Sequence, residues 1–118
     1  MPGFSDLKVY KKSYELALNI HKISIKLPKE IQYNLADQIR RASKSIPTNI
    51  AEGYGKKEFQ KEFKRFLFIS LGSKDEVLVH LNFLKDLNYI STEIFNDLES
   101  QYNELGRMLY GLVKSLKS

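Results

Sequence analysis

The sequence predicts an all-α protein, an antiparallel up-down four-helix bundle, and three observations carry that prediction. Apolar residues recur at steps of three and four along nearly the whole chain. The breaks between these stretches are short and contain Pro, Gly or Asn. No segment alternates polar and apolar residues as a half-buried strand would. The 118 residues fit a single domain, 1–118, with one core, and the short connections make sequential helices antiparallel neighbours.

The first helix opens at Phe4-Ser5-Asp6, with Ser5 as cap and Phe4 stapled onto Val9. Its inner stripe reads Leu7, Tyr10, Tyr14, Ala17 and His21, with Leu18 and Ile25 alongside. It should stop near Leu27, because Pro28 disfavours helical geometry in the residue before it. The second runs from about Ile31 to Ala51 on the stripe Leu35, Ile39, Ala42, Ile46 and Ile50. A polar stripe of Gln38, Arg41, Ser45, Thr48 and Glu52 lies beside it. Pro47 removes a backbone donor and crowds the Ser43 carbonyl, so a kink or break is expected there. Gly53-Tyr54-Gly55 should end the helix through a left-handed glycine.

The third segment, Glu58 to about Leu87, is the longest. Phe59, Phe63, Phe66, Ser70, Ser73, Val77, Leu81 and Leu84 form its inner stripe, widened by Leu67 and Leu78. Phe68, Ile69 and Leu71 fall partly outside that stripe, leaving more apolar surface than one bundle core buries. Gly72 and Ser73 are small enough to let another backbone approach. Asn88-Tyr89-Ile90-Ser91 is the last turn, with Ser91 as cap and Ile90 stapled onto Phe95. The fourth helix follows as a heptad seam of Phe95, Leu98, Tyr102, Leu105, Leu109, Leu112 and Leu116.

The absence of cysteine excludes disulfides, thiolate metal sites and cysteine nucleophiles. Met1 to Asp6 lack the basic start and apolar run of a secretory signal, and no stretch approaches a membrane span, so a cytoplasmic location is expected. His21 and His80 are the only histidines, and only one carboxylate pairing, Glu76 with His80, has helical spacing. That is too few convergent ligands for a metal. Gly53-Tyr54-Gly55-Lys56-Lys57 lacks the preceding strand and the Gly-Lys-Ser/Thr ending of a phosphate loop. Glu52 has no second catalytic group, and pairing to Arg40 or Arg41 is the better expectation for it. No enzyme and no cofactor are expected.

Charge is unevenly spread, which on its own reads either as a solvated lysine-rich surface or as a surface for anionic partners, nucleic acid first. Residues 1–57 carry eleven Lys and Arg against five Asp and Glu, a balance of +6, and residues 58–118 carry eight against nine, a balance of −1. The candidate nucleic-acid contacts are Arg40, Arg41 and Lys44 on the second helix, with Lys56, Lys57, Lys61, Lys64 and Arg65 around the next turn. Lys57, Lys61 and Lys64 are read as one outward helical face. Glu58 and Glu62 dilute the patch, and no base-reading module is present.

The run QIRRASKSIPTNIAEG, Gln38 to Gly53, resembles the four-helix-bundle proteins encoded in intervening sequences of bacterial 23S ribosomal RNA genes. That family includes the accessory proteins of diversity-generating retroelements. Asp6-Leu7-Lys8-Val9, Phe66-Leu67 with Gly72-Ser73-Lys74-Asp75-Glu76, and Leu87-Asn88-Tyr89-Ile90 extend the resemblance over nearly the whole chain. It implies an antiparallel four-helix bundle, a homopentamer around a central channel, and non-enzymatic binding to RNA or DNA. In retroelement members it also implies binding to a reverse transcriptase. The motif residues carried over are Gln38, Arg40, Arg41, Ser45, Pro47, Asn49, Glu52 and Gly53. Tyr10 stands where relatives often have Trp, and Lys56 or Lys57 where they often have Arg, which loses the forked guanidinium geometry. Two functions follow as expectations: an oligomeric nucleic-acid-binding accessory protein, or an interaction module whose basic surface meets an acidic protein partner.

Overall fold

A computed structural model describes residues 3–117. Four helices, α1 (Lys8–Ser24), α2 (Leu35–Tyr54), α3 (Gln60–Asp86) and α4 (Thr92–Ser115), are joined by short turns. Single 3-10 turns sit at Phe4–Asp6 and Lys29–Ile31, and no strand occurs among the described residues. Contacts between neighbours run in opposite chain directions. Gly53 of α2 meets Phe63 and Phe66 of α3, while Ser45 meets Ser73. Gly106 of α4 meets Lys74 of α3, while Lys117 reaches Gln60. Ser24 at the end of α1 meets Arg40 of α2, while Tyr10 and Tyr14 lie across from Pro47 and Ala51, so the helices are antiparallel in sequence order. α1 packs on α2, α2 on α3, α3 on α4 and α4 on α1, so α1 and α3 stand across the bundle diagonal. The body measures 45 × 22 × 21 Å.

The core forms where the apolar stripes meet. Ile39, Ala42, Ile46 and Ile50 of α2 face Phe63, Leu67, Val77, Leu81 and Leu84 of α3 and Phe95, Leu98, Tyr102, Leu105 and Leu109 of α4. Each large side chain removed from water stabilises the fold by about 1.5–3 kcal/mol. The α4 seam is buried as its heptads predict, except that Val113 extends it while Leu112 and Leu116 are only half-buried. The Ser91 hydroxyl accepts the Ile94 N–H at 3.1 Å and caps this helix.

α1 differs from its sequence reading by one residue of phase. Val9, Ser13, Leu16, Ala17, Ile20 and Ser24 face inward, leaving Tyr14, Leu18 and Ile25 exposed. Two serines can occupy the interior because their hydroxyls donate to the helix's own carbonyls. Ser13 Oγ bonds Tyr10 O at 3.0 Å and Ser24 Oγ bonds His21 O at 2.8 Å. At the start, Ser5 does not cap: Phe4–Asp6 is a separate turn closed by the Gly3 N–H on Asp6 Oδ2. Phe4 packs edge-on against Tyr10 at 4.9 Å. α1 ends at Ser24, short of Leu27.

α2 runs unbroken through Pro47. Side-chain donors support the carbonyls around the missing backbone bond: Thr48 Oγ1 to Lys44 O at 2.8 Å, Asn49 Nδ2 to Ser45 O at 2.8 Å, and Ser70 Oγ to Ile46 O at 3.0 Å. No left-handed glycine ends the helix, since Gly55 has φ −62°. Gly53 is needed for another reason. A Cβ there would lie 2.7 Å from Phe66 Cβ, so glycine permits the close approach of α2 and α3. Gly72, expected to serve that purpose, faces open space. The left-handed residue is Asn88, φ 64°, at the end of α3. There the Tyr89 N–H bonds Leu84 O at 2.8 Å and the Asn88 N–H bonds Lys85 O at 2.9 Å, the Schellman pattern of a helix end. Phe59, placed by the sequence on the inner stripe, precedes the first turn of α3 and is exposed.

Candidate nucleic-acid interface

The antiparallel packing turns the charge asymmetry along the chain into one between the two ends of the bundle. Cutting each helix at its midpoint puts residues 3–16, 45–73 and 104–117 at one end, with eleven Lys and Arg against six Asp and Glu. Residues 17–44 and 74–103 form the other end, with eight against eight. The whole net charge of +5 therefore belongs to the end that holds the α2–α3 turn.

The eight predicted contacts separate accordingly. Lys56, Lys57, Lys61, Lys64 and Arg65 lie together at the basic end, whereas Arg40, Arg41 and Lys44 lie in the other half of α2. Arg41 and Lys56 are roughly 20 Å apart at 1.5 Å rise per residue. Arg40 is committed internally. Its guanidinium donates to Ser24 Oγ at 3.0 Å, Gln32 Oε1 at 3.1 Å and Gln32 O at 3.0 Å, tying α2 to the end of α1 and the loop after it. Arg41 pairs with Asp37 at 2.8 Å. Glu52, the partner expected for one of these arginines, is exposed and bonds neither of them.

At the basic end the cations are mostly unpaired. Lys56, Lys57 and Lys61 are exposed, Lys64 is half-buried, and none has a carboxylate within 4 Å among the described residues. Lys57, Lys61 and Lys64 do not form one helical face. α3 begins at Gln60, so Lys57 belongs to the turn, with its Nζ 4.2 Å from the centre of the Tyr54 ring. Arg65 hydrogen-bonds Glu62 through Nε and Nη2, each at 3.2 Å, and this holds the Glu62 carboxyl below its ordinary value and raises the guanidinium. Both groups are open to solvent, so the pair adds little stability.

The motif run from Gln38 to Gly53 is mainly a packing device. Ser45 Oγ bonds Ser73 Oγ at 2.9 Å across the α2–α3 seam, and Asn49 Nδ2 braces Ser45 Oγ at 3.0 Å. Pro47 and Glu52 line an apolar groove between α1 and α2, with Tyr10, Tyr14 and Leu18 opposite. Gln38 is exposed. His80 Nε2 meets Glu76 at 3.3 Å, and no group of three or more metal-binding side chains gathers among the described residues. No described helix is long and apolar enough to cross a membrane. The sequence reading does not include Lys74, Arg107 and Lys114, which line a second groove between α3 and α4. The signal for Arg107 and Lys114 is the sign of charge along the last helix, acidic up to Glu104 and basic from Arg107.

A search of curated proteins finds no match to the chain. Among solved structures it is similar to a protein of unknown function from the S23 ribosomal protein family of Bacteroides thetaiotaomicron VPI-5482. The two share 26% identity and superpose with a TM-score of 0.79 over 90% of this chain and 98% of the other. Neither that protein's name nor the matching family's specifies a reaction. The family model for 23S rRNA-intervening sequence proteins matches residues 5–111, and the chain belongs to that family.

Proposed function

We propose that this protein is a non-enzymatic, self-assembling accessory protein that binds RNA or DNA through the basic end of its bundle. The observation that carries the reading is the segregation of all net charge to that end, with Lys56, Lys57, Lys61 and Lys64 free of carboxylate partners among the described residues. Such cations neutralise phosphates by releasing counterions, which makes binding insensitive to sequence and steep in salt. At about 0.05 M salt the wild type binds both single and double strands. Changing Lys56, Lys57 and Lys61 to Glu lowers the slope of log affinity against log salt by about three, one for each phosphate left without its lysine. An unchanged slope contradicts the reading and transfers the basic end to an acidic protein partner.

Self-assembly is supported by two apolar faces that a monomer leaves in water. Phe68, Ile69, Val79 and Phe83 are exposed on α3, and Tyr14, Leu18 and Ile25 on and just after α1. α1 and α3 stand across the diagonal, and Tyr14 and Leu18 border the α1–α2 groove, so these are two separate faces. Two different faces can join copies head to tail, and such contacts close into a ring when the rotation per copy permits. Five copies is the number that the family resemblance implies. Sedimentation at micromolar concentration should give a multiple of 13.7 kDa, and Phe83→Glu should return it to one copy. A wild type that sediments at 13.7 kDa contradicts self-assembly.

A further inference from the structure

The groove between α3 and α4 combines several cations with an exposed aromatic ring. Its lining includes Lys74 from α3 and Arg107, Tyr110 and Lys114 from α4, and no carboxylate. Two glycines keep α4 low on this side. At Gly106 an added Cβ would lie 3.0 Å from Lys74 Cε, so the lysine stem lies flat across the helix. At Gly111 nothing stands within 4 Å. Tyr110 is 50% exposed, and the Lys114 ammonium sits 5.0 Å from its ring centre. Arg107 is exposed and makes no ion pair among the described residues. Lys74 is bonded at 2.7 Å to Asp75, an exposed partner that a phosphate can displace.

A helix macrodipole favours cations in the last turn of α4, and that accounts for Lys114. It does not account for Arg107 two turns earlier, for Lys74 on the neighbouring helix, or for an aromatic ring left half in water between them. Those features together match the chemistry of a single-strand track, in which cations follow the phosphates and a ring stacks an unpaired base. A duplex keeps its bases stacked inside and cannot present one to Tyr110. We infer that the α3/α4 groove binds a single-stranded segment of nucleic acid, with Tyr110 stacking a base and Lys74, Arg107 and Lys114 holding the flanking phosphates. This inference rests on the nucleic-acid reading above and adds to it a place and a preference for single strands.

The test uses the full chain and two fluorescent probes of equal length, an oligothymidine strand and a mixed-sequence duplex, with affinity read by anisotropy. Tyr110→Ala should weaken the single strand about tenfold and leave the duplex unchanged, and Tyr110→Phe should restore binding. Arg107→Glu with Lys114→Glu should weaken the single strand more than the duplex. Lys56, Lys57 and Lys61 changed to Glu should weaken both probes, which separates the basic end from the groove. Equal single-strand binding by wild type and Tyr110→Ala overturns the inference, even where the basic-end variant loses both probes. Altered sedimentation with unaltered binding in the groove variants also overturns it, because the groove is then a contact between copies. Unchanged helicity in each variant shows that the fold is intact.

Discussion

Arg40 and Lys61 are cations of adjacent helices, and they stand at opposite ends of the bundle in opposite circumstances. Arg40 is half-buried and commits its guanidinium to Ser24 and Gln32, so its charge holds a loop in place. Lys61 is exposed and meets no carboxylate among the described residues, so its charge is open to an outside anion. Over the rest of each end the division is one of degree: Lys22, Lys26, Lys29 and Lys44 at the neutral end are exposed without an ion pair among the described residues, and Lys12 and Arg65 at the basic end pair with Glu104 and Glu62. Arg41 is paired to Asp37 and Lys85 lies against Asp86 at the neutral end, whereas Lys56, Lys57 and Lys64 at the basic end have no ion pair among the described residues. Equal chemistry thus serves structure at Arg40 and stays open to solvent at Lys61. A count of charges along the chain does not separate the two uses.

The largest expected effect tests what the ends share. The core is continuous, so Leu109→Ala at the basic end and Ile39→Ala at the neutral end should each cost about 2–5 kcal/mol in denaturant titration. A marked inequality would mean that one end is poorly packed. Next comes the pair that defines the neutral end. Arg40→Ala should cost about 1.5–3 kcal/mol, because it removes charge-assisted bonds and strands partly buried partners. Arg41→Ala, which removes only an exposed pair, should cost less than about 1 kcal/mol. Equal losses would refute the distinction between held and surface arginines.

Smaller effects sharpen the account of the glycines and of the orphaned Tyr102 hydroxyl. Gly53→Ala should destabilise by about 1–3 kcal/mol, since its Cβ would meet Phe66 Cβ at 2.7 Å. Gly72→Ala, facing open space, should stabilise the monomer by roughly 0.5–1 kcal/mol. The Tyr102 side chain is wholly buried, with no hydrogen-bond partner for its hydroxyl among the described residues, and burial raises its ionisation above the ordinary value of 10.0. The folded state therefore keeps the proton that the unfolded state gives up. The contribution of Tyr102 to stability is constant below about pH 10 and falls as pH rises beyond it. Tyr102→Phe should change stability by less than about 1 kcal/mol at neutral pH and should flatten that alkaline decline. A wild type and a Tyr102→Phe variant with identical alkaline profiles would show that the hydroxyl finds water.

The helices and most of the core are legible in the sequence because their signals are periodic and local. The α4 seam needs only spacing, and Ser91 needs only a hydroxyl at a helix start. α1 misleads because Tyr10, Tyr14, Leu18 and Ile25 look more apolar than Ser13 and Ser24, yet the serines are satisfied by their own helix and turn inward. At Pro47 the sequence leaves a break open and the helix continues, while the bond beside it from Ser70 to the Ile46 carbonyl joins residues twenty-four apart and is not legible locally. The basic residues are visible along the chain, but their grouping is not. Arg40 adjoins Arg41 in sequence while its partners come from Ser24 and Gln32, and Lys74 joins Arg107 only through the α3–α4 packing.

The most direct test of the division between the ends is a matched charge reversal. One variant changes Lys56, Lys57 and Lys61 to Glu, and the other changes Lys22, Lys26 and Lys29, which are exposed at the neutral end. Both lower the net charge by the same amount, so a difference between them reports position alone. Affinity for an RNA strand at about 0.05 M salt should fall at least roughly tenfold further in the first variant than in the second. Equal losses in the two variants would contradict the account, because binding would then follow total charge and not the basic end.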